Sequence, residues 1–209
     1  MDEQFELEFH APSIKLPQLW TPDDIFRAAD QNIIELFKED SRVERKVAGI
    51  HADALGDYLS MYANTQPHGG VIFIGVENSG AISGCGRLNT EQLNKFETVR
   101  HYCPDARHEF KRIPIKNVSG EDDLIIALRV YYREDKLVET TDGNAFVRSG
   151  NEKRKLTEAE KREIRINKGE VEYELEPVSL KWPDDFELKL VDEFVQSYIT
   201  KRRLPARYT

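Results

Sequence analysis

Residues 64–84 read NTQPHGGVIFIGVENSGAISG, and the reading of this stretch decides the fold. At its centre Val71-Ile72-Phe73-Ile74 is a short apolar run with glycines on both sides. Such a run fits a strand buried on both faces. Glycines beside a strand also raise the question of a phosphate loop. A Walker-type loop needs Gly-x4-Gly-Lys-Ser/Thr between a strand and a helix. Here Gly75 and Gly80 are followed by Ala81-Ile82-Ser83-Gly84, with no lysine, and the GxGxxG spacing is absent. Asn78-Ser79-Gly80 is turn chemistry, and Gly69-Gly70 lets the chain leave a helix tightly. The glycines therefore shape a strand and a turn, and no nucleotide cofactor is expected.

Working outward, residues 20–40 read as one helix. Thr21 is its N-cap, Pro22 sits at the first position, and Asp23 and Asp24 complement its positive end. Ser41–Val47 is β-compatible. His51–Asn64 is helical, with Leu55, Leu59 and Tyr62 on one stripe, and so is the segment from Asn89 to Tyr102. After Pro104 the pattern changes to strands: His108–Val118 and Leu124–Tyr132 flank the turn SGEDD as a hairpin. Asn144–Gly150 is a further short strand. Thr157 stands three residues before Glu160, a capping box that opens another helix. Residues 170–186 are extended and acidic, and an amphipathic helix covers about 183–201.

The fold class is α/β (α+β), a mixed β-sheet with flanking helices. Expected boundaries are an acidic N-terminal arm and helix over 1–34, the domain proper over 35–168, and a strand-plus-helix extension over 169–209. The ending KRRLPARYT points to a tail or to a linker into a further domain after residue 209. Self-association into a homo-oligomer is the other expectation on partners.

The chain has 209 residues, 33% charged and 39% hydrophobic, ordinary proportions for a globular protein. Cys85 and Cys103 stand alone with no CxxC, which excludes a disulfide framework and a zinc ribbon and fits the reduced cytoplasm. No apolar run approaches membrane-spanning length. His10, His51, His68, His101 and His108 never take a metal-ligand spacing, and no GxSxG elbow occurs.

The net charge of −8 argues against wholesale nucleic-acid binding, but the charge is uneven. Acids crowd the first 40 residues. From Arg148 to Lys168 the balance reverses, with Arg148, Lys153, Arg154 and Lys155 leading the bases. Partner choice follows local fields more than the sum. This segment, with Lys111 and Arg112 of the earlier hairpin, is the expected nucleic-acid face.

A second constellation is acidic. EDSRVERK places Glu39 at a helix end and Glu44 on a strand, with Lys46 two residues on, and Glu77 closes the strand VIFIGVE. Three converging carboxylates beside a lysine hold a divalent cation and activate water for phosphodiester cleavage.

Taken together, EDSRVERK, the block LGDYLSMYANTQPHGGVIFIGVENSGAISGC, and AFVRSG before the LTEAEKREI helix resemble the Schlafen-type AlbA-like domain family. The three blocks stand in the family's order over about Glu39 to Ile164. The resemblance implies a mixed α/β fold and binding of DNA or RNA. In the Schlafen branch it also implies RNA cleavage, of tRNA in particular, dependent on Mg2+ or Mn2+ held by acids that map to Glu39, Glu44 and Glu77. Arg148 matches the arginine of the family's R-x-G. The chain departs from the pattern at Asp40, where a serine is usual, and at Arg45, where an apolar residue is usual. NTQPHGG also runs two residues longer than the usual NTxGG. Three functions follow: a nucleic-acid-binding module of a regulator or larger protein, a metal-dependent endoribonuclease, or a protein-interaction scaffold.

Overall fold

The structure is a computed structural model that describes residues 16–150, 152–171 and 179–202. The chain divides into two units with the boundary between Val171 and Glu172. The expected acidic strand falls partly on residues 172–178, outside the described residues.

The first unit is built on a four-stranded sheet of β1 (Val43–Lys46), β2 (Gly70–Ile74), β3 (His108–Lys116) and β4 (Asp122–Val130), in the order β1-β2-β4-β3. β1 and β2 are parallel and the other pairings antiparallel, so the sheet is mixed. β2 is the opening stretch, and every residue from Gly70 to Ile74 is buried. Its alternate side chains face two different cores. Val71 and Phe73 pack with Ile25, Ile34 and Phe37, from helices α1 (Pro22–Ala28) and α2 (Gln31–Leu36) and the residue that follows α2. Ile72 and Ile74 pack with Leu55, Leu59 and Tyr62 of helix α3 (Ala52–Asn64). The run is continuous because helices cover both faces. After β2 the Glu77 amide donates to Ala81 and the Gly80 amide to Glu77, each at 2.8 Å, which is the expected turn.

The helix read over residues 20–40 is two helices. Thr21 and Asp24 form the capping box of α1, as its sequence announces. Asp30 then accepts a hydrogen bond from the Ile33 amide at 2.9 Å and starts α2. A short carboxylate side chain in mid-helix competes for backbone donors, and here it breaks the run. These helices form one layer of the domain rather than an arm before it. Arg129 of β4, 2% exposed, ties that layer to the sheet by donating to Asp23 at 2.7 Å and to the His68 carbonyl at 2.7 Å.

The third helix ends early: α4 (Thr90–Glu97), capped by the reciprocal Asn89 and Gln92 bonds, gives way to a 3-10 turn over Val99–Tyr102. Beyond it, β5 (Phe146–Ser149) pairs antiparallel with β6 (Glu152–Lys155), a strand the sequence reading did not anticipate. Glu152-Lys153-Arg154-Lys155 has no apolar alternation to announce it. Helix α5 (Glu158–Asn167) follows, with the predicted Thr157–Glu160 box. In the second unit, α6 (Leu188–Arg202) is the expected last helix, beginning five residues late. Cys85 and Cys103 are buried free thiols, and burial pushes both up to about 12. No helix among the described residues is long and apolar enough to cross a membrane.

The fit between β2 and α3 makes a sharp prediction. A Cβ on Gly70 would come within 2.0–2.4 Å of three Tyr62 ring carbons, whereas one on Gly49 would meet nothing within 4 Å. Gly70→Ala is expected to destabilise by about 1–3 kcal/mol through overpacking, and Gly49→Ala to leave stability unchanged. Urea unfolding of the two variants side by side checks this.

Candidate nucleic-acid interface

Glu44 and Lys46 alternate with Val43 and Arg45 along β1, so the first pair faces α3 and the second faces α2. On the α3 side, Glu44 is nearly buried between two cations. Its Oε1 lies 2.6 Å from Lys46 Nζ and its Oε2 2.6 Å from Arg148 Nη1. Arg148 also donates to the Tyr62 hydroxyl at 3.1 Å, and its side chain is 3% exposed. Its Nη2 is buried and has no hydrogen-bond partner among the described residues. Across the β5–β6 ladder Arg148 is directly opposite Lys153, which pairs with Asp57 of α3 at 2.6 Å.

Tyr58 sits between the two lysines. Lys46 Nζ is 4.7 Å and Lys153 Nζ 4.4 Å from its ring centroid, both inside cation–π range. Burial pulls the Lys46 ammonium down, but the Glu44 carboxylate and Tyr58 hydroxyl together outweigh it and hold it above its ordinary value. Burial pushes the Tyr62 phenol far up, against the pull of Arg148, and its hydroxyl accepts from that arginine. Lys46, Arg148 and Lys153 set against Glu44 and Asp57 leave one positive charge in excess.

A polar clamp at the end of α3 positions this cluster. The Asn64 amide donates to Val138 O at 2.8 Å and Phe146 O at 3.1 Å, and accepts from the Val138 amide at 2.9 Å. The Ser60 hydroxyl donates to Val138 O at 2.8 Å and accepts from the Phe146 amide at 3.0 Å. Thr65 Oγ1 accepts from the Arg148 amide at 3.0 Å. Ser60, Asn64 and Thr65 thus fix the strand that carries Arg148. Sequence reasoning missed them, together with Asp57 and Tyr58. The only signal was that polar residues interrupt an apolar helix face.

The acidic trio does not form. Among the described residues no group of three His, Cys, Asp or Glu side chains is placed to hold a metal ion. Glu39 instead accepts from the Arg45 amide at 2.8 Å, and Asp40 accepts from the amides of Arg42 and Val43 at 2.7 and 3.1 Å. The Val71 and Gly75 amides donate to Arg42 and Lys46, so these odd-numbered amides are on the open edge of β1. Glu39 and Asp40 are caps for that edge. Glu77 is half-buried at the turn after β2. With both Glu44 oxygens held by protein cations, this arrangement does not fit the Mg2+ or Mn2+ that the resemblance implies. The physical reason is the pleat and those two ion pairs.

The expected basic face is brought together only in part. Arg148, Lys153 and Lys46 converge. Lys155 is exposed two residues beyond Lys153 on the same strand. Arg154 turns the other way and pairs with Glu160 at 2.8 Å. Lys111 and Arg112 lie on β3, at the far edge of the sheet. Lys111 Nζ lies 3.3–3.4 Å from the carbonyls of Phe26, Arg27 and Ala29, and Arg112 pairs with Glu97.

The family model described as "Schlafen, AlbA_2" matches residues 38–157, more than half of the chain. The chain belongs to the Schlafen AlbA_2 family. This membership supports a nucleic-acid-binding domain. The matched span starts just before Glu39 and ends at Thr157, so it holds β1 to β6 and every residue of the cluster. No curated protein sequence matches the chain. Among solved structures, the DIP2311 protein from Corynebacterium diphtheriae is similar at 20% identity with a TM-score of 0.44. The similarity covers 60% of this chain and 24% of that one, so this chain spans only a small part of that protein's length.

Two outcomes follow for this AlbA_2 site. Asn64→Ala strands the Val138 amide and loosens β5, and since each orphaned buried group costs about 1–3 kcal/mol, it is expected to lower stability by about 2–4 kcal/mol. Chemical denaturation measures it. For Glu44→Gln, Lys46 and Arg148 lose the charge between them. Breaking a fully buried pair costs about 3–5 kcal/mol, and the partly wet Lys46 lowers this to about 2–3 kcal/mol. Thermal melts should show that loss, with Mn2+ giving no stabilisation to either protein beyond matched ionic strength.

Proposed function

We propose that this chain binds nucleic acid through the face formed by β1, α3 and the β5–β6 hairpin. The observation that carries the reading is the convergence of Lys46, Arg148 and Lys153 from three strands, the two lysines over Tyr58 and the arginine over Tyr62. Cations set the register by holding phosphates. The excess positive charge and the unpartnered Arg148 Nη2 support an anionic ligand. The acids elsewhere in the chain supply long-range repulsion, which limits binding to this local field.

Cleavage is the weaker reading. Glu44 would first have to be released from Lys46 and Arg148 to serve as a ligand or a base.

Fluorescence anisotropy with single-stranded RNA, single-stranded DNA and duplex across a salt series tests the proposal. Affinity should fall with salt, and Lys46→Ala, Lys153→Ala and Lys155→Ala should each reduce the slope by about 1. Lys111→Ala and Arg112→Ala should bind like the parent. Salt-independent binding, or a triple lysine variant with the parent slope, removes this face. Incubating tRNA with and without Mn2+ in the same buffers reports cleavage directly.

A further inference from the structure

On the other face of β1, away from the Arg148 cluster, Arg45 is buried to 3% exposure. Its Nη2 donates to the carbonyls of Ile34 at 2.8 Å and Phe37 at 2.5 Å, at the end of α2. Its Nε is buried without a partner. No carboxylate among the described residues forms an ion pair with it, although a buried guanidinium ordinarily has one. Glu39 is close enough to act on its charge, but that carboxylate is bonded to the Arg45 backbone amide. Arg148, equally buried, has Glu44. Arg45 lacks such a counter-anion.

The side chain lines an open cleft of about 520 Å³ between the end of α2 and the turn after β2, with Lys38, Glu39, Asn78, Ser79 and Gly80. Gly80 has φ 98°, and a Cβ there would come within 2.8 Å of Arg45 Nη1. The glycine therefore keeps Nη1 open to the cleft, and Nη1 makes no hydrogen bond among the described residues. Lys38 is exposed at the rim, and Ser79 also lines the cleft, its hydroxyl accepting from the Ala81 amide at 3.3 Å. Glu35, also at the rim, accepts from Gln31.

We infer that this cleft is an oxyanion site that takes a phosphate group, held by Arg45 from below and by Lys38 at the rim, with Gly80 leaving the space. The inference is independent of the nucleic-acid face, because the two sites occupy opposite faces of β1. The ligand supplies the counter-charge that the buried guanidinium lacks, and a charge-assisted hydrogen bond to a phosphate oxygen is among the strong ones.

Backbone amide spectra during a titration with inorganic phosphate, at constant ionic strength with chloride as the reference, give the test. The amides of Asn78, Ser79 and Gly80 should move saturably in the parent. Lys38→Ala, which removes only an exposed rim charge, should weaken binding several-fold. Arg45→Met and Gly80→Ala should abolish it. Should Arg45→Met fail to fold, Lys38→Ala and Gly80→Ala still decide. Unmoved turn amides in the parent, or parent-like affinity in the Lys38 and Gly80 variants, overturn the inference. A short oligonucleotide that competes only when it bears a terminal phosphate makes a nucleic-acid end the source. Competition by neither form makes it a free phosphate or a small phosphomonoester.

Discussion

The site depends on one side-chain amide. Asn64, at the last turn of α3, holds Val138 by both donor and acceptor and reaches Phe146 besides. These partners are more than seventy residues away in sequence, and they bring a loop and a short strand onto a helix that packs on the central strand. Without Asn64 and its neighbours Ser60 and Thr65, β5 is a four-residue strand paired only to another of four, and an isolated hairpin of that size has little stability of its own. The placement of Arg148 against Glu44 is therefore inherited from the packing of α3 on β2. Core and site share a single helix: its apolar stripe faces the sheet, and Asp57, Tyr58 and Tyr62 carry the polar work.

How much of this was legible in the sequence follows from the range of each interaction. β2 was readable because a glycine-bounded apolar run has few other uses, and the cap at Thr21 and the box at Thr157 because their partners lie within four residues. The break at Asp30 was written in the same alphabet but concealed by apolar spacing that continues through it. β6 could not be seen, since its residues are chosen for charge and its pairing is supplied by β5.

The acidic residues teach a different lesson. Spacing placed Glu39 and Glu44 near one another, and they are near. What spacing alone could not give is the sense of each side chain. The pleat turns Glu44 toward α3 and Arg45 toward α2, while Glu39 meets a main-chain amide instead of its fellow acid. The same alternation separates Lys153 from Arg154, one over Tyr58 and the other on Glu160. A local family motif thus predicted the right neighbourhood and missed the wiring within it.

The caps along β1 have a further consequence for how copies of this chain meet. An outer strand with free amides and carbonyls is a template on which another chain can extend the sheet. Here Asp40 and Glu39 occupy the amides of Val43 and Arg45, and the Asp40 amide takes the Val43 carbonyl. At the opposite border, β3 carries Pro114, which has no amide to offer, and its Lys116 amide is taken by Gln31. The β1 border is closed by the chain's own groups, and the β3 border is interrupted at Pro114 and Lys116. Strand addition is therefore hindered on both sides, wholly along the four residues of β1 and at one end of β3.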